Sequence, residues 1–127
     1  MSGADDAPSP IVSISAVTLI VAEMAAAVHF YEALGFDVLY GGAAAAFTSF
    51  RAGESYLNLS LGERDSASGL WGRTIFYVDD VDGMHRRVVE AGFTPQFAPR
   101  DAAWGERYFH VTDPDGHELS FARPIPD

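Results

Sequence analysis

Three side chains that could support acid–base or nucleophilic chemistry lie near the end of the chain: His110, Glu118 and Ser120. If residues 113–117 form a turn between two strands, His110 comes directly opposite Ser120, and Thr112 opposite Glu118. A serine, a histidine and a carboxylate are the parts of a hydrolytic triad. However, neighbours across a hairpin lack the sharp turn that exposes a nucleophile, and no oxyanion hole is visible. We therefore favour a polar lining that hydrogen-bonds a ligand.

The composition narrows the classes of protein that fit the chain. Eight arginines and no lysines stand against 18 acidic residues among 127, so the formal net charge is −10. This balance opposes binding to nucleic acid or to an anionic membrane, because both depend on clustered basic side chains. No cysteine is present, which excludes disulfides, thiolate metal sites and cysteine nucleophiles. The first ten residues contain no apolar stretch, so we expect a disordered tail over residues 1–10 and a cytoplasmic protein.

An internal repeat indicates which elements position these side chains. Residues 17–36 and 74–93 match at a constant offset of 57. Each copy is typical of a strand, an acidic turn that can cap a helix, a helix of about three turns, and a glycine that ends it. In the second helix, Val81, Met84 and Val88 recur at helical spacing, which predicts the buried side.

Three strand-like runs follow each copy. We predict strands over residues 36–40, 45–50 and 56–61, and then over 94–98, 107–112 and 118–122. The last strands match at an offset of 62, so the second half has gained five residues, which we place around residues 99–106. The predicted fold class is therefore α+β, with two tandem βαβββ modules forming a cup-shaped mixed sheet and helices on the outer face. We expect one domain over residues 11–124, with module one at about 14–61, a linker at about 62–72 and module two at about 73–123.

Strand alternation predicts which side chains face away from the helices. We call this side of each sheet its open face. In the first strands it receives Ala16, Thr18 and Ile20 from module one, and Arg73, Ile75 and Tyr77 from module two. The hairpin around residues 113–117 adds Tyr108, His110, Glu118 and Ser120, leaving Phe109, Val111, Leu119 and Phe121 on the helix side.

Three segments of the chain resemble the vicinal oxygen chelate superfamily, which includes glyoxalase I, extradiol dioxygenases and bleomycin resistance proteins. They are FYEALGF at 30–36, YVDDVD at 77–82, and WGERYFHVTDPDGHELSF at 104–121. The third is the most specific, because it combines WG, an aromatic strand and DPDG before a final strand, whereas DPDG alone is a common turn sequence. The resemblance covers about residues 14–123 and implies a cup built from both modules.

The resemblance also implies where a metal would bind. Metal-dependent members hold a divalent ion with His and Glu side chains from the first and last strands of each module. Those positions fall on Ala16, Asn58, Arg73 and Ser120. None of these residues is a usual ligand, so we predict no catalytic metal and no cofactor.

Among metal-free relatives, the chain is most similar to bleomycin resistance proteins. This implies a metal-independent protein that binds and sequesters an antibiotic-like planar or aromatic small molecule, as a homodimer with shared pockets. Arg73 would repel a cationic ligand unless Glu118 or Glu54 neutralised it, and it equally suggests a carboxylate or phosphonate ligand. The predicted ligand-binding residues are Asn58, Arg73, Tyr77, Trp104, Tyr108, His110, Glu118 and Ser120.

Two other functions stay open at this point. One is a lyase or isomerase of glyoxalase type, or a dioxygenase-like enzyme, with an atypical site. It would use either an unexpected metal site or, in a metal-free variant, His110 or Tyr108 in acid–base catalysis. The other is a regulatory module whose cup has lost its ligand. Each exposed aromatic side chain could equally pack beneath a loop, Trp71 among them.

Overall fold

The computed structural model describes residue 10 and residues 13–63 and 71–126. Most of the expected tail, residues 1–9, and most of the expected linker, residues 64–70, lie outside the described residues. Among the described residues, none of the helices has the length and apolar character needed to cross a membrane.

The two predicted βαβββ modules are confirmed as two four-stranded mixed sheets, each with one helix. In both, the first strand pairs in parallel with the last, and the remaining pairs are antiparallel. The strand order is β1-β4-β3-β2 in module one and β5-β8-β7-β6 in module two. Module one contains β1 Ala16–Val21, α1 Met24–Ala33, β2 Asp37–Tyr40, β3 Phe47–Ala52 and β4 Ser55–Leu61. Module two contains β5 Arg73–Tyr77, α2 Val81–Glu90, β6 Arg100–Asp101, β7 Glu106–Thr112 and β8 Glu118–Pro124.

The helix ends follow the predicted pattern with one difference. Gly35 and Gly92 come just after the two helices with φ values of +108° and +93°, a conformation that favours glycine. Asp80 caps α2, since its carboxylate accepts a hydrogen bond from the Gly83 amide at 2.9 Å. Glu23 occupies the same position before α1, but its side chain makes no capping hydrogen bond. The first helix therefore depends more on packing than the second does.

The strand predicted over residues 94–98 is wrong. Only Arg100 and Asp101 form β6, and the preceding segment makes a single backbone hydrogen bond to β7, from Gln96 to the His110 carbonyl. Prolines at positions 95 and 99 have no amide proton, so this segment cannot complete a ladder.

The two modules share one core. Residues on the helix sides of both sheets form a single buried cluster that includes Leu57 and Phe121. Across the junction, the Phe36 and Phe76 rings lie 5.0 Å apart, and the buried Tyr31 hydroxyl donates to Asp113 Oδ2 at 2.7 Å. The open faces lie on the other side of each sheet and carry many exposed side chains, although Tyr108 and Ser120 on the second sheet are buried.

His117, the last residue of the turn over residues 113–117, makes two long-range hydrogen bonds. Its side chain is only 3% exposed, and its Nε2 donates to the carbonyl of Ile20 in module one at 2.7 Å. Its Nδ1 accepts a hydrogen bond from the Trp71 indole at 2.9 Å. The imidazole therefore joins β1 to the segment that enters β5.

Candidate functional site

The predicted register of the last hairpin is confirmed. Thr112 pairs with Glu118, His110 with Ser120, and Tyr108 with Ala122. These pairs have their side chains on the open face of the second sheet. β5 pairs in parallel with β8 and adds Arg73, Ile75 and Tyr77 to the same face.

Arg73 and Glu118 form an ion pair at one end of this face. Both Nε and a terminal nitrogen of the guanidinium contact Glu118 Oε2, and Gln96 donates to Oε1 at 2.9 Å. Partial burial disfavours the carboxylate, but the hydrogen bonds from Gln96 and Arg73 hold the pKa of Glu118 below its ordinary value. The positive charge that would have repelled a cationic ligand is therefore compensated by Glu118.

His110 lies beside this pair without joining it. Its Nδ1 is 3.7 Å from Glu118 Oε2, which is too far for a hydrogen bond. Partial burial, and next the charge of Arg73, lower the pKa of His110 below its ordinary value. The structure shows no hydrogen bond between the side chains of His110 and Ser120, although the two residues pair across the strands. The serine is therefore not activated as a nucleophile.

Aromatic side chains surround a carboxylate at the other end of the face. Trp104 donates to Glu106 Oε1 at 3.0 Å, and the Tyr77 hydroxyl donates to Oε2. The Trp104 and Tyr108 rings lie 5.2 Å apart. Tyr77 is 65% exposed and Trp104 is 67% exposed, so both rings offer apolar area to a ligand.

Sequence reasoning missed three residues of this region. Phe97 packs its ring 5.5 Å from Tyr108 and 5.1 Å from His110. Arg100 stacks on Phe97, with its guanidinium carbon 3.8 Å from the ring centroid. The third is Glu106, which accepts the hydrogen bonds from Trp104 and Tyr77. Had β6 been predicted at residues 100–101, the pairing of Arg100 with Tyr108 would have placed Arg100 on the open face.

Arg107 lies on the opposite side of the same sheet. Its guanidinium bridges Asp82 at 2.8 Å and Asp101 at 3.0 Å, which ties α2 to the β6–β7 hairpin. The arginine of the WGER segment therefore has a structural role.

The residues at the family's metal positions do not fit a metal ion. Arg73 places a guanidinium against Glu118, while Ala16, Asn58 and Ser120 offer no charged donor. Within the described ranges, no group of three His, Asp or Glu side chains could hold a metal. We derive no chemistry through a metal from this donor set.

Asn58 is the one predicted residue on the other sheet. It donates to Thr18 Oγ1 at 3.3 Å on the open face of module one. The other seven predicted residues belong to module two, with Trp104 in the turn before β7.

A cavity of about 770 Å³ opens between β5 and the β3–β4 hairpin. Its walls come from both modules, including Val17, Tyr56 and Phe76. Among the predicted binding residues, Arg73 and Tyr77 line it. This volume is in the range of pockets for drug-sized molecules.

Comparison with known proteins places these features in context. The family model described as the Glyoxalase/Bleomycin resistance protein/Dioxygenase superfamily matches residues 13–121. A curated relative, an uncharacterized protein of Mycobacterium bovis named Mb0911c, is 44% identical over 48 residues. The match spans 38% of this chain and 32% of that relative.

Solved structures support the same fold. A bleomycin-binding protein complexed with bleomycin is 21% identical, with a TM-score of 0.72, covering 89% of this chain and 98% of that one. Lactoylglutathione lyase from Agrobacterium tumefaciens is 21% identical, with the same TM-score, covering 89% of this chain and 94% of that one. At this identity the likeness shows the fold alone.

Proposed function

The chain belongs to the glyoxalase/bleomycin resistance protein/dioxygenase superfamily, and on this basis we propose that it binds and sequesters a planar or aromatic small molecule without a metal. The observation that carries the proposal is the exposed pair of rings, Tyr77 and Trp104, held around Glu106 on an open face whose metal positions lack donors. Sequestration requires affinity without turnover, and this face has stacking surfaces but no activated nucleophile.

Binding would rest mainly on stacking. A planar ligand over the exposed rings of Trp104 and Tyr77 would remove apolar ring surface from water, and each aromatic pair is worth about 0.5–1.5 kcal/mol beyond its buried area. The polar groups at the other end, Arg73 with Glu118 and the neighbouring His110, would orient the ligand through hydrogen bonds, while Ser120 is buried beneath them. The structural relative that was solved with bleomycin has the same fold, which is consistent with a ligand of this class.

The proposal includes a homodimer with shared pockets. In the described sheets, β1 and β5 are edge strands, and each leaves one side without a ladder partner. Ile20 and Ile75 on these strands are exposed apolar side chains. A second copy covering them would bring the first sheet, with Asn58, towards the ligand face of its partner. Light scattering after size-exclusion chromatography tests this, since a monomeric mass would overturn it. Localisation in the cytoplasm stays a prediction.

Titration with bleomycin and other planar antibiotics, followed by tryptophan fluorescence and thermal shift, tests the binding function. Trp104→Ala should weaken binding at least about tenfold, as expected for an aromatic anchor. Val89→Ala, an exposed position on α2 away from the open face, is the matched control and should bind normally. The proposal fails if no antibiotic shifts the melting temperature and expression does not protect sensitive cells.

The competing function is enzymatic, and the likeness to a lactoylglutathione lyase favours testing it. Elemental analysis of protein purified without chelator, and an assay for that lyase activity with added Zn, Ni, Mn or Fe, distinguish the two. A stoichiometric metal with turnover would replace the binding proposal. Absence of ligand, metal and turnover together would instead indicate a module that has lost its ligand.

A further inference from the structure

Arg100 differs from the other charged groups on the open face of the second sheet because its terminal nitrogens contact no partner among the residues that the structure describes. Its Nε donates to the Tyr108 hydroxyl at 3.1 Å, and its guanidinium carbon lies 3.8 Å from the Phe97 ring centroid. No ion pair in the described part of the chain includes Arg100. Stacking and one hydrogen bond therefore hold the guanidinium in place, and two NH₂ groups remain available.

The nearby carboxylates are already engaged. Glu106 accepts hydrogen bonds from Trp104 and Tyr77, and Glu118 accepts them from Gln96 and Arg73. Asp101, next to Arg100 in the chain, is paired with Arg107 on the other side of the sheet. The carboxylates that the structure describes therefore leave the Arg100 guanidinium unpaired, and an arginine can form a bidentate, charge-assisted pair with an external anion.

The rings beside Arg100 indicate the rest of the ligand. Phe97 supports the guanidinium, and the Tyr108 ring lies between Phe97 at 5.5 Å and Trp104 at 5.2 Å. Tyr108 is only 8% exposed, but the Trp104 ring beside it is 67% exposed, so a flat molecule stacked on Trp104 would have one end near the guanidinium.

We propose that Arg100 binds an oxyanion carried at one end of a planar aromatic ligand, with the guanidinium donating two hydrogen bonds to two oxygens of a carboxylate or a phosphonate. This inference rests on the proposed function and specifies the chemical class of its ligand. It assigns to Arg100 the part that the sequence suggested for Arg73, whose charge Glu118 compensates.

The test compares two probes that differ in charge but not in shape, naphthoate and naphthamide, with naphthyl phosphonate as the second anion. Calorimetry should give naphthoate about tenfold tighter binding than naphthamide, as expected for a partly exposed charge-assisted pair. Arg100→Gln should abolish this preference, and Arg100→Lys should keep part of it, because the charge remains but the planar fork is lost. Arg86→Gln, on the exposed side of α2, changes the net charge equally and should keep the full preference.

His110 supplies a second readout. Arg100 contributes to lowering the pKa of His110, so an anion bound at the guanidinium should raise that pKa in an NMR titration. A neutral probe should leave it unchanged. A ligand that merely stacked elsewhere on the surface would not reproduce this difference.

The outcomes separate the two proposals. Equal affinity for naphthoate and naphthamide, or a preference that Arg100→Gln retains, overturns the role of Arg100 but leaves planar-ligand binding intact. A preference lost equally in Arg86→Gln shows a general charge effect and also overturns it.

If bleomycin binds and neither naphthyl acid does, only this inference fails. If nothing binds, both proposals fail. Naphthyl phosphonate bound more tightly than naphthoate, with the same dependence on Arg100, would identify phosphonate as the preferred anion.

Discussion

The two modules share their topology and differ on their open faces. On the first sheet, Asn58 bonds to Thr18 and the neighbouring groups of β4 are neutral. On the second, the Arg73–Glu118 pair, His110 and an aromatic group around Glu106 occupy the equivalent surface. The helix sides must fill one shared core, so burial keeps them alike. The open faces carry no such constraint, so their polar and aromatic side chains can differ.

The largest expected effect tests whether the helix sides are equivalent. Phe50 and Phe109 are fully buried, one in each module, and belong to one core. Replacing either with alanine should lower the free energy of unfolding by about 3–5 kcal/mol, because the transfer and cavity costs are similar. Chemical denaturation measures this, with Phe47→Ala, whose ring is 38% exposed, as the milder control. A loss confined to one of the two core variants would show that the modules are stabilised separately.

The next effect lies at the junction between the modules. Tyr31→Phe removes the donor to Asp113 Oδ2 and leaves that oxygen buried without it, at a cost of about 1–3 kcal/mol. Burial already raises the pKa of Asp113, and loss of the tyrosine bond, which lowers it, should raise it further. Denaturation of Tyr31→Phe, Asp113→Asn and the double variant gives the coupling between the two groups. Additive losses would mean that the bond does not join the modules.

A smaller effect distinguishes the helix starts. Asp80→Ala should cost about 1 kcal/mol, because the carboxylate bonded to the Gly83 amide is lost. Glu23→Ala at the equivalent position should change stability by less than about 0.5 kcal/mol, since no capping bond exists there. If Asp80→Ala and Glu23→Ala lowered the free energy of unfolding equally, the two helix starts would not differ in capping.

Local patterns were sufficient for the parts of the fold that short-range rules determine. The register of the last hairpin followed from alternation and turn length, and the Asp80 cap from its position before the helix. Both features depend on residues that lie only a few positions apart in the chain. The family resemblance, once tested against the whole chain, also holds.

The rest depends on contacts between distant residues. The sequence predicts a strand through Phe97. The two prolines that flank it prevent a regular ladder, and its ring packs against Tyr108 instead. The bond from His117 to the Ile20 carbonyl joins residues 97 positions apart. Glu106 gains its partners Tyr77 and Trp104 only after the sheet has formed. Such partners follow from tertiary packing, which periodicity does not encode.

The smallest effect concerns His110, whose counterpart is missing from the open face of the first sheet. Its pKa is lowered in the folded protein, by partial burial first and then by Arg73, while Glu118 opposes the change and Arg100 adds to it. Because the unfolded chain binds the proton more readily, this histidine costs no stability above its ordinary pKa of about 6.5, and it destabilises the fold as the pH falls below that value.

Denaturation at a series of pH values should therefore show a loss of stability on acidification that His110→Gln reduces, since glutamine cannot be protonated there. His29→Gln, at an exposed position on α1, is the matched control and should lose as much stability on acidification as the unsubstituted protein does. An unchanged slope in His110→Gln would mean that Glu118 compensates the imidazolium fully.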